Sequence, residues 1–291
     1  ADGTPDDDTG ERGQHRPLEG EEEPLRHVHA QQLSAHYHAH YAQRSPSIVV
    51  VGQFDPGAVL KRLMTAFPAL PDAVGELPLA HEVEYQTPKD NEPVWVPLKR
   101  SQVQVVRTFP GVAFGDDREA QLILLLEILG GSSGRLFQAL REERGLTYDV
   151  SADAIVGLRG GAVSIHYSTS PERLDESLDA LDQTLGRLIG QAPAPAELDR
   201  ARSYLKGARL VNRQTAIARG QELVLDTVYG LGLGRSDALY RELDSVTPEQ
   251  IQELAKELFE RSKTHTILLG PEPEAKPVEG PSVSQLYDGP S

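Results

Sequence analysis

The 291-residue chain has no cysteine, one methionine, one tryptophan and only 5% aromatic residues. Without thiols it forms no disulfide and no thiolate metal site, which leaves the redox compartment open. Long hydrophobic runs are also missing. Nothing approaches the roughly 18 consecutive apolar residues of a membrane span, and residues 122–129, interrupted by Glu127, read as a buried helix. Basic residues are scarce: 29 Lys and Arg stand against 44 Asp and Glu, a formal net charge of -15. That balance argues against nucleic acid and anionic membrane surfaces as partners. The first residue is Ala1 and no signal peptide is evident, so the expectation is a processed, trimmed or separately expressed polypeptide.

An apolar content of 38% is ample for a core, and the length implies one large or two smaller domains. Residues 1–24 hold nine acids against Arg12 and Arg16, without apolar periodicity, and read as a solvated leader. Helical spacing of Leu33, Tyr37 and Tyr41 predicts a helix over 30–44, followed by a strand over 47–51. Asp55 and Pro56 supply an N-cap and N1 for a helix over 58–67. Five prolines and many acids mark 68–93 as linker sequence. Strands are predicted over 94–98 and 102–108, with a turn at Pro110 and Gly111, and a helix capped by Asp116 or Asp117 runs to Leu129. A hairpin over 148–156 and 162–169 follows. Leu174, Leu178, Leu181, Leu185 and Leu188 stripe the next helix, helices over 194–211 and 216–229 succeed it, and Thr247 to Gln250 form a capping box. A last strand covers 264–269.

The most informative stretch is residues 130–150, GGSSGRLFQALREERGLTYDV. A Gly/Ser turn leads into an amphipathic helix carrying Leu136, Phe137, Leu140 and Arg141, Gly145 is placed to end it, and a β-rich run follows. A helix that reverses into a strand can bring Arg141 and Tyr148 over one sheet edge. A cation beside a phenol suits the gripping of peptide carbonyls and of a developing oxyanion. Residue types alone favour the plainer arrangement, in which Arg141 caps its own helix carbonyls and Tyr148 packs at a strand start. The Gly/Ser turn lacks a P-loop ending and a dinucleotide spacing, so it reads as a flexible connection rather than a phosphate cradle. His36, His38 and His40, with His27 and His29 upstream, offer a metal-chelating pair four residues apart or a solvated histidine-rich helix face.

Two segments also match at an offset of 218: Gln32, Leu33, Tyr41, Val49, Val51 and Gly52 against Gln250, Ile251, Phe259, Ile267, Leu269 and Gly270. Each reads as helix, turn, strand and glycine, as in a duplicated unit.

With these stretches in hand, the chain resembles the pitrilysin/insulinase family of zinc peptidases, which carry an inverted H-x-x-E-H motif. GGSSGRLFQALREERGLTYDVSA is similar to that family's glycine-rich turn, helix and R-x-x-x-x-x-x-Y pair in its second domain. HYAQRSPSIVVVGQFDPGAVLKRLMTAFPALP is similar to the close of its first domain, and SVTPEQIQELAKELF to the closing helix of the second. The zinc motif is absent, and Gln121, Leu124 and Leu125 stand where its two histidines and glutamate would fall. The resemblance implies an α+β fold, an antiparallel sheet covered by helices on one face. It also implies an acidic leader (1–27), the closing part of a first domain (28–75), a linker (76–93), a complete non-catalytic second domain (94–270) and a Pro-rich tail (271–291). The implied function is the substrate-binding half of a two-part zinc endopeptidase. Arg141 and Tyr148 would serve the active site, and Gly130, Gly131, Ser132 and Ser133 would help hold a peptide substrate. This chain would bind no cofactor, zinc being expected on a partner chain or missing N-terminal half. A catalytically inert scaffold and a histidine-cluster metal module are the alternatives.

Overall fold

A computed structural model describes residues 22–42, 46–67, 92–158, 160–259 and 264–271. Expectations for the rest of the leader, the linker and the tail lie outside these. Contacts divide the chain into two units, residues 1–48 with 52–79, and residues 49–51 with 80–291.

In the first unit, the helix α1 (Glu22–Arg26) is short, and α2 (Ala30–Tyr37) runs on as a π-helical turn, His38–Ala42. The helix α3 (Pro56–Ala66) begins as predicted, with Asp55 Oδ1 accepting from the Ala58 N–H at 2.6 Å and proline in its first turn. Neither α2 nor α3 buries a single residue, and Leu33, Tyr37, Tyr41, Leu60 and Met64 all stand exposed.

The second unit holds a five-stranded sheet in the order β1-β5-β2-β4-β3, made of β1 (Val94–Pro97), β2 (Val103–Gly111), β3 (Val150–Val156), β4 (Gly161–Thr169) and β5 (His265–Gly270). The sheet is antiparallel as expected, with one parallel pair at its edge, β1 with β5. One face is consistently inward: Val103, Val105, Arg107 and Phe109 of β2 alternate with half-exposed neighbours, as do Val163, Ile165 and Tyr167 of β4. That face carries α4 (Glu119–Gly130), α5 (Leu174–Gly190) and α9 (Pro248–Leu258), while α6 (Pro195–Asn212), α7 (Ala216–Val228) and α8 (Arg235–Glu242) continue the helical layer. The predicted leucine stripe of α5 faces this core, with Leu181, Leu185 and Leu188 buried.

Several predicted elements differ. The strand expected over 47–51 joins no ladder, because a segment becomes a strand only when a neighbour satisfies its backbone. Pro110 and Gly111 do not turn the chain; they pair with Ala162 and Gly161 as the end of β2. The ladder with β5 stops at Thr108, so Pro110 sits where β2 has one bonded neighbour and a missing N–H is tolerated. Asp116 does not cap α4 with its side chain. Its carboxylate takes the Arg118 backbone N–H at 2.8 Å and the Arg118 guanidinium, which holds its pKa below the usual range.

Candidate functional site

Residues 130–150 build the site through three local decisions. First, the glycines are there for close packing, which corrects the reading of a flexible connection. A Cβ on Gly130 would fall inside the van der Waals shell of the Ala152 backbone in β3, and one on Gly134 would lie 2.5 Å from the Leu129 carbonyl oxygen. Second, the helix that follows is π-helical over Phe137–Glu142 and buries Ala139 and Leu140. Third, it ends at Gly145, whose φ of 59° favours a residue without Cβ, as predicted. There the Gly145 N–H reaches the Arg141 carbonyl at 2.9 Å and the Leu146 N–H the Leu140 carbonyl at 2.7 Å.

The reversal brings Arg141 and Tyr148 together. The Arg141 guanidinium carbon lies 4.6 Å from the centre of the Tyr148 ring and 4.7 Å from that of Phe137, so the cation is held between two aromatic faces. No carboxylate pairs with Arg141 among the described residues. Tyr148 lies two residues ahead of β3 rather than inside it, and its side chain is 83% exposed.

The turn carrying Tyr148 is pinned from below. Leu146 and Thr147 are buried, Thr169 Oγ1 donates to the Leu146 carbonyl at 2.8 Å, and Thr147 Oγ1 donates to the Asp149 carbonyl at 2.7 Å. Arg173 donates to the carbonyls of Gly145 (3.0 Å) and Arg144 (2.9 Å). The helix end is therefore capped by Arg173, not Arg141, which frees the latter. Sequence reasoning missed Arg173 because its partners lie 28 and 29 residues away.

The other predicted residues separate from this pair. Gly130, Gly131 and Ser132 line a groove of about 460 Å³ between α4 and β3, which neither Arg141 nor Tyr148 reaches, and Ser133 is exposed beside it. On α4, Leu124 and Leu125 are fully buried in the core and Gln121 is half-exposed, so this helix does not fit a zinc ion. Among the described residues there is no group of three His, Cys, Asp or Glu able to hold a metal. The His36 and His40 rings do approach, with centres 4.4 Å apart, but without a third donor. Ser151, His166 and Asp153 meet on the outer face of the sheet and do not form a nucleophilic triad. The Ser151 oxygen lies 2.6 Å from Nε2 yet 3.4 Å from Nδ1, which puts it beside the ring rather than along a lone pair, and Asp153 is 3.6 Å from Nδ1. No helix among the described residues is long and apolar enough to cross a membrane.

Comparison with known proteins gives one coherent answer. Residues 27–205 match the family profile described as the Peptidase M16 inactive domain. The chain is 26% identical over 252 residues to the uncharacterized zinc protease YmxG of Bacillus subtilis, covering 84% of this chain and 58% of that protein. It is 24% identical over 285 residues to an uncharacterized zinc protease of Streptomyces coelicolor, covering 96% and 60%. It thus spans about three fifths of the length of these relatives. Among solved structures, a peptidase M16 inactive domain from Pseudomonas fluorescens superposes with a TM-score of 0.74 at 22% identity, over 90% of this chain and 62% of that one. A conserved protein from Enterococcus faecalis gives 0.72 at 21%, over 90% and 60%. At such identities the structural likeness speaks for the fold alone.

Proposed function

The chain belongs to the M16 peptidase family as its inactive domain, and from that premise we propose that it is the substrate-gripping half of a two-part zinc endopeptidase. The observation that carries the proposal is the Arg141–Tyr148 pair: a guanidinium fixed between two rings with no carboxylate partner among the described residues, beside a phenol held out in solvent. Such a pair is built for acceptors that arrive from outside. In this reading the Tyr148 hydroxyl donates a hydrogen bond to the oxyanion that forms when a peptide carbonyl is attacked. Arg141 donates to a neighbouring carbonyl of the extended peptide and keeps it in register. Stacking against Phe137 and Tyr148 fixes the plane of the guanidinium, so its N–H fork is oriented before substrate arrives.

The metal, its ligands and the base that activates water are assigned to the partner half, because α4 of this chain offers two buried leucines and a glutamine in their place. The open apolar faces of α2 and α3 support a partner as well, since amphipathic helices with nothing buried are made to be covered.

The test is peptide cleavage by this chain alone and mixed with an H-x-x-E-H polypeptide from the same organism. No turnover alone and chelator-sensitive turnover in the mixture support the proposal. Equal rates for the partner with and without this chain would reduce it to a scaffold.

A further inference from the structure

The alternation of β2 puts Arg107 in an apolar row. Val103, Val105 and Phe109 share its inward face and are almost fully buried, and Arg107 is buried with them at 8% exposure. Its Nε donates to Thr266 Oγ1 of the adjoining β5 at 3.2 Å, and its Nη1 pairs with Asp182 of α5. Nη2 has no partner among the described residues, and Arg107 lines a cavity of about 480 Å³ between the sheet and α5. Phe109, Leu178, Leu185, Ile189 and Phe259 give that cavity an apolar wall, the Phe109 and Phe259 rings meeting edge to face at 4.8 Å. A buried guanidinium with donors left over is costly unless an acceptor meets it.

Charge narrows the occupant. Asp175, Asp179 and Asp182 line the cavity from α5 at steps of four and three, so they share one helix face, about 5–6 Å apart at Cβ. Asp182 is engaged by Arg107, whereas Asp175 and Asp179 make no hydrogen bond or ion pair among the described residues. Both of these are exposed and stand at the mouth, while Arg107 lies inside. No other lysine or arginine lines the cavity. An anion alone would meet three carboxylates against one guanidinium, and a cation alone would leave Nη2 without an acceptor. A ligand carrying both charges, one helical turn apart, answers both walls.

We propose that this cavity is a binding site for a free α-amino acid with a large apolar side chain. The ligand carboxylate accepts from Arg107 Nη2, its ammonium meets Asp179 one turn along α5 from Asp182, and its side chain packs on Phe109, Leu185 and Phe259. The volume and the mostly apolar lining with a few converging polar groups are those of a small-molecule site. The site goes beyond the peptidase reading. It lies within this chain and shares no residue with the stretch 130–150, so it stands or falls apart from Arg141 and Tyr148.

The experiment is isothermal titration calorimetry of the full chain with L-leucine. Three probes each lack one part of it: 4-methylpentanoate the ammonium, 3-methylbutylamine the carboxylate, and glycine the side chain. The proposal expects L-leucine to bind with a Kd below about 1 mM and each probe to bind about tenfold more weakly or worse, a loss of roughly 1.4 kcal/mol or more. Asp179→Asn, at an exposed position where folding is not at stake, should weaken L-leucine about tenfold and leave 4-methylpentanoate unchanged. Arg107→Lys keeps a charge against Asp182 but gives up Nη2, and should lose L-leucine while leaving 3-methylbutylamine unchanged. Gly186→Leu fills the cavity from a helix position where a Cβ meets nothing within 4 Å, and should abolish binding in a folded chain. Glu249→Gln, an exposed acid elsewhere, should change nothing. The absence of L-leucine binding at millimolar concentration overturns the proposal. So does a probe that binds as tightly as L-leucine, or L-leucine binding that Asp179→Asn leaves untouched.

Discussion

Arg173→Ala is the substitution that best probes how the site is held. Arg173 spans from the start of α5 to the carbonyls of Arg144 and Gly145, and it also pairs with Glu176 at 3.0 Å. Its side chain is 39% exposed, so the Glu176 pair is screened and contributes little. The two carbonyl bonds matter more. Each is worth about 0.5–1.5 kcal/mol net, and because the acceptors lie at the surface, water replaces part of what is lost. The expected destabilisation is about 1–2 kcal/mol, or a fall in Tm of about 3–6 °C for a unit of this size. The larger effect is local. Without Arg173, the turn bearing Tyr148 keeps the anchors from Thr147, Thr169 and the Gly145 and Leu146 N–H groups, and loses its one tie to the start of α5. Hydrogen exchange at residues 145–149 should therefore accelerate while the α5 core amides stay protected. Turnover in the assembled enzyme should fall with little change in the affinity between the halves. Glu176→Gln, which leaves both carbonyl bonds in place, should do none of this. Unchanged exchange at 145–149 in Arg173→Ala would refute the claim that Arg173 positions the turn.

Gly145→Ala places a Cβ on a backbone at φ 59° with no heavy atom within 4 Å, so the penalty is conformational alone, about 1–2 kcal/mol. Chemical denaturation checks it, and a neutral result would mean that the turn relaxes. Glu127→Gln tests burial of the carboxylate through pH. A folded-state pKa raised above the ordinary 4.5 means that stability is greatest with the group protonated and declines as pH rises through the raised value. The variant should therefore melt higher than the parent at pH 7, with the advantage shrinking as pH falls from the raised value towards 4.5 and gone well under pH 4.5. An advantage independent of pH would contradict the assignment.

Local signals were legible where the chain satisfies its own needs. Asp55 with Pro56, and Thr247 with Gln250, cap their helices as read, the latter through Thr247 N–H to Gln250 Oε1 at 2.8 Å. The alternation of β2, the stripe of α5 and the hairpin after β3 came from periodicity that the buried face enforces. The helix α8 was not foreseen, because it is short, polar and buries Leu239 alone. The π-helical form of residues 137–142 and the cap from Arg173 depend on tertiary partners, and spacing within one segment carries no trace of them. The pairing of Arg141 with Tyr148 was legible as a possibility because seven residues and a glycine stop fix their separation. The finding that Arg141 is spared from capping came only with the fold.

The measurement that bears most directly on the account is turnover by the assembled two-part enzyme carrying Tyr148→Phe. The hydroxyl stands in solvent on a ring that is 83% exposed, so removing it should shift folding stability by no more than about 0.5 kcal/mol. The stack on Arg141 stays intact. Loss of an oxyanion donor, at about 2.7–4 kcal/mol, should then lower kcat by about a hundredfold or more with KM little changed. A kcat within about threefold of the parent would show that the phenol does not touch the reacting carbonyl.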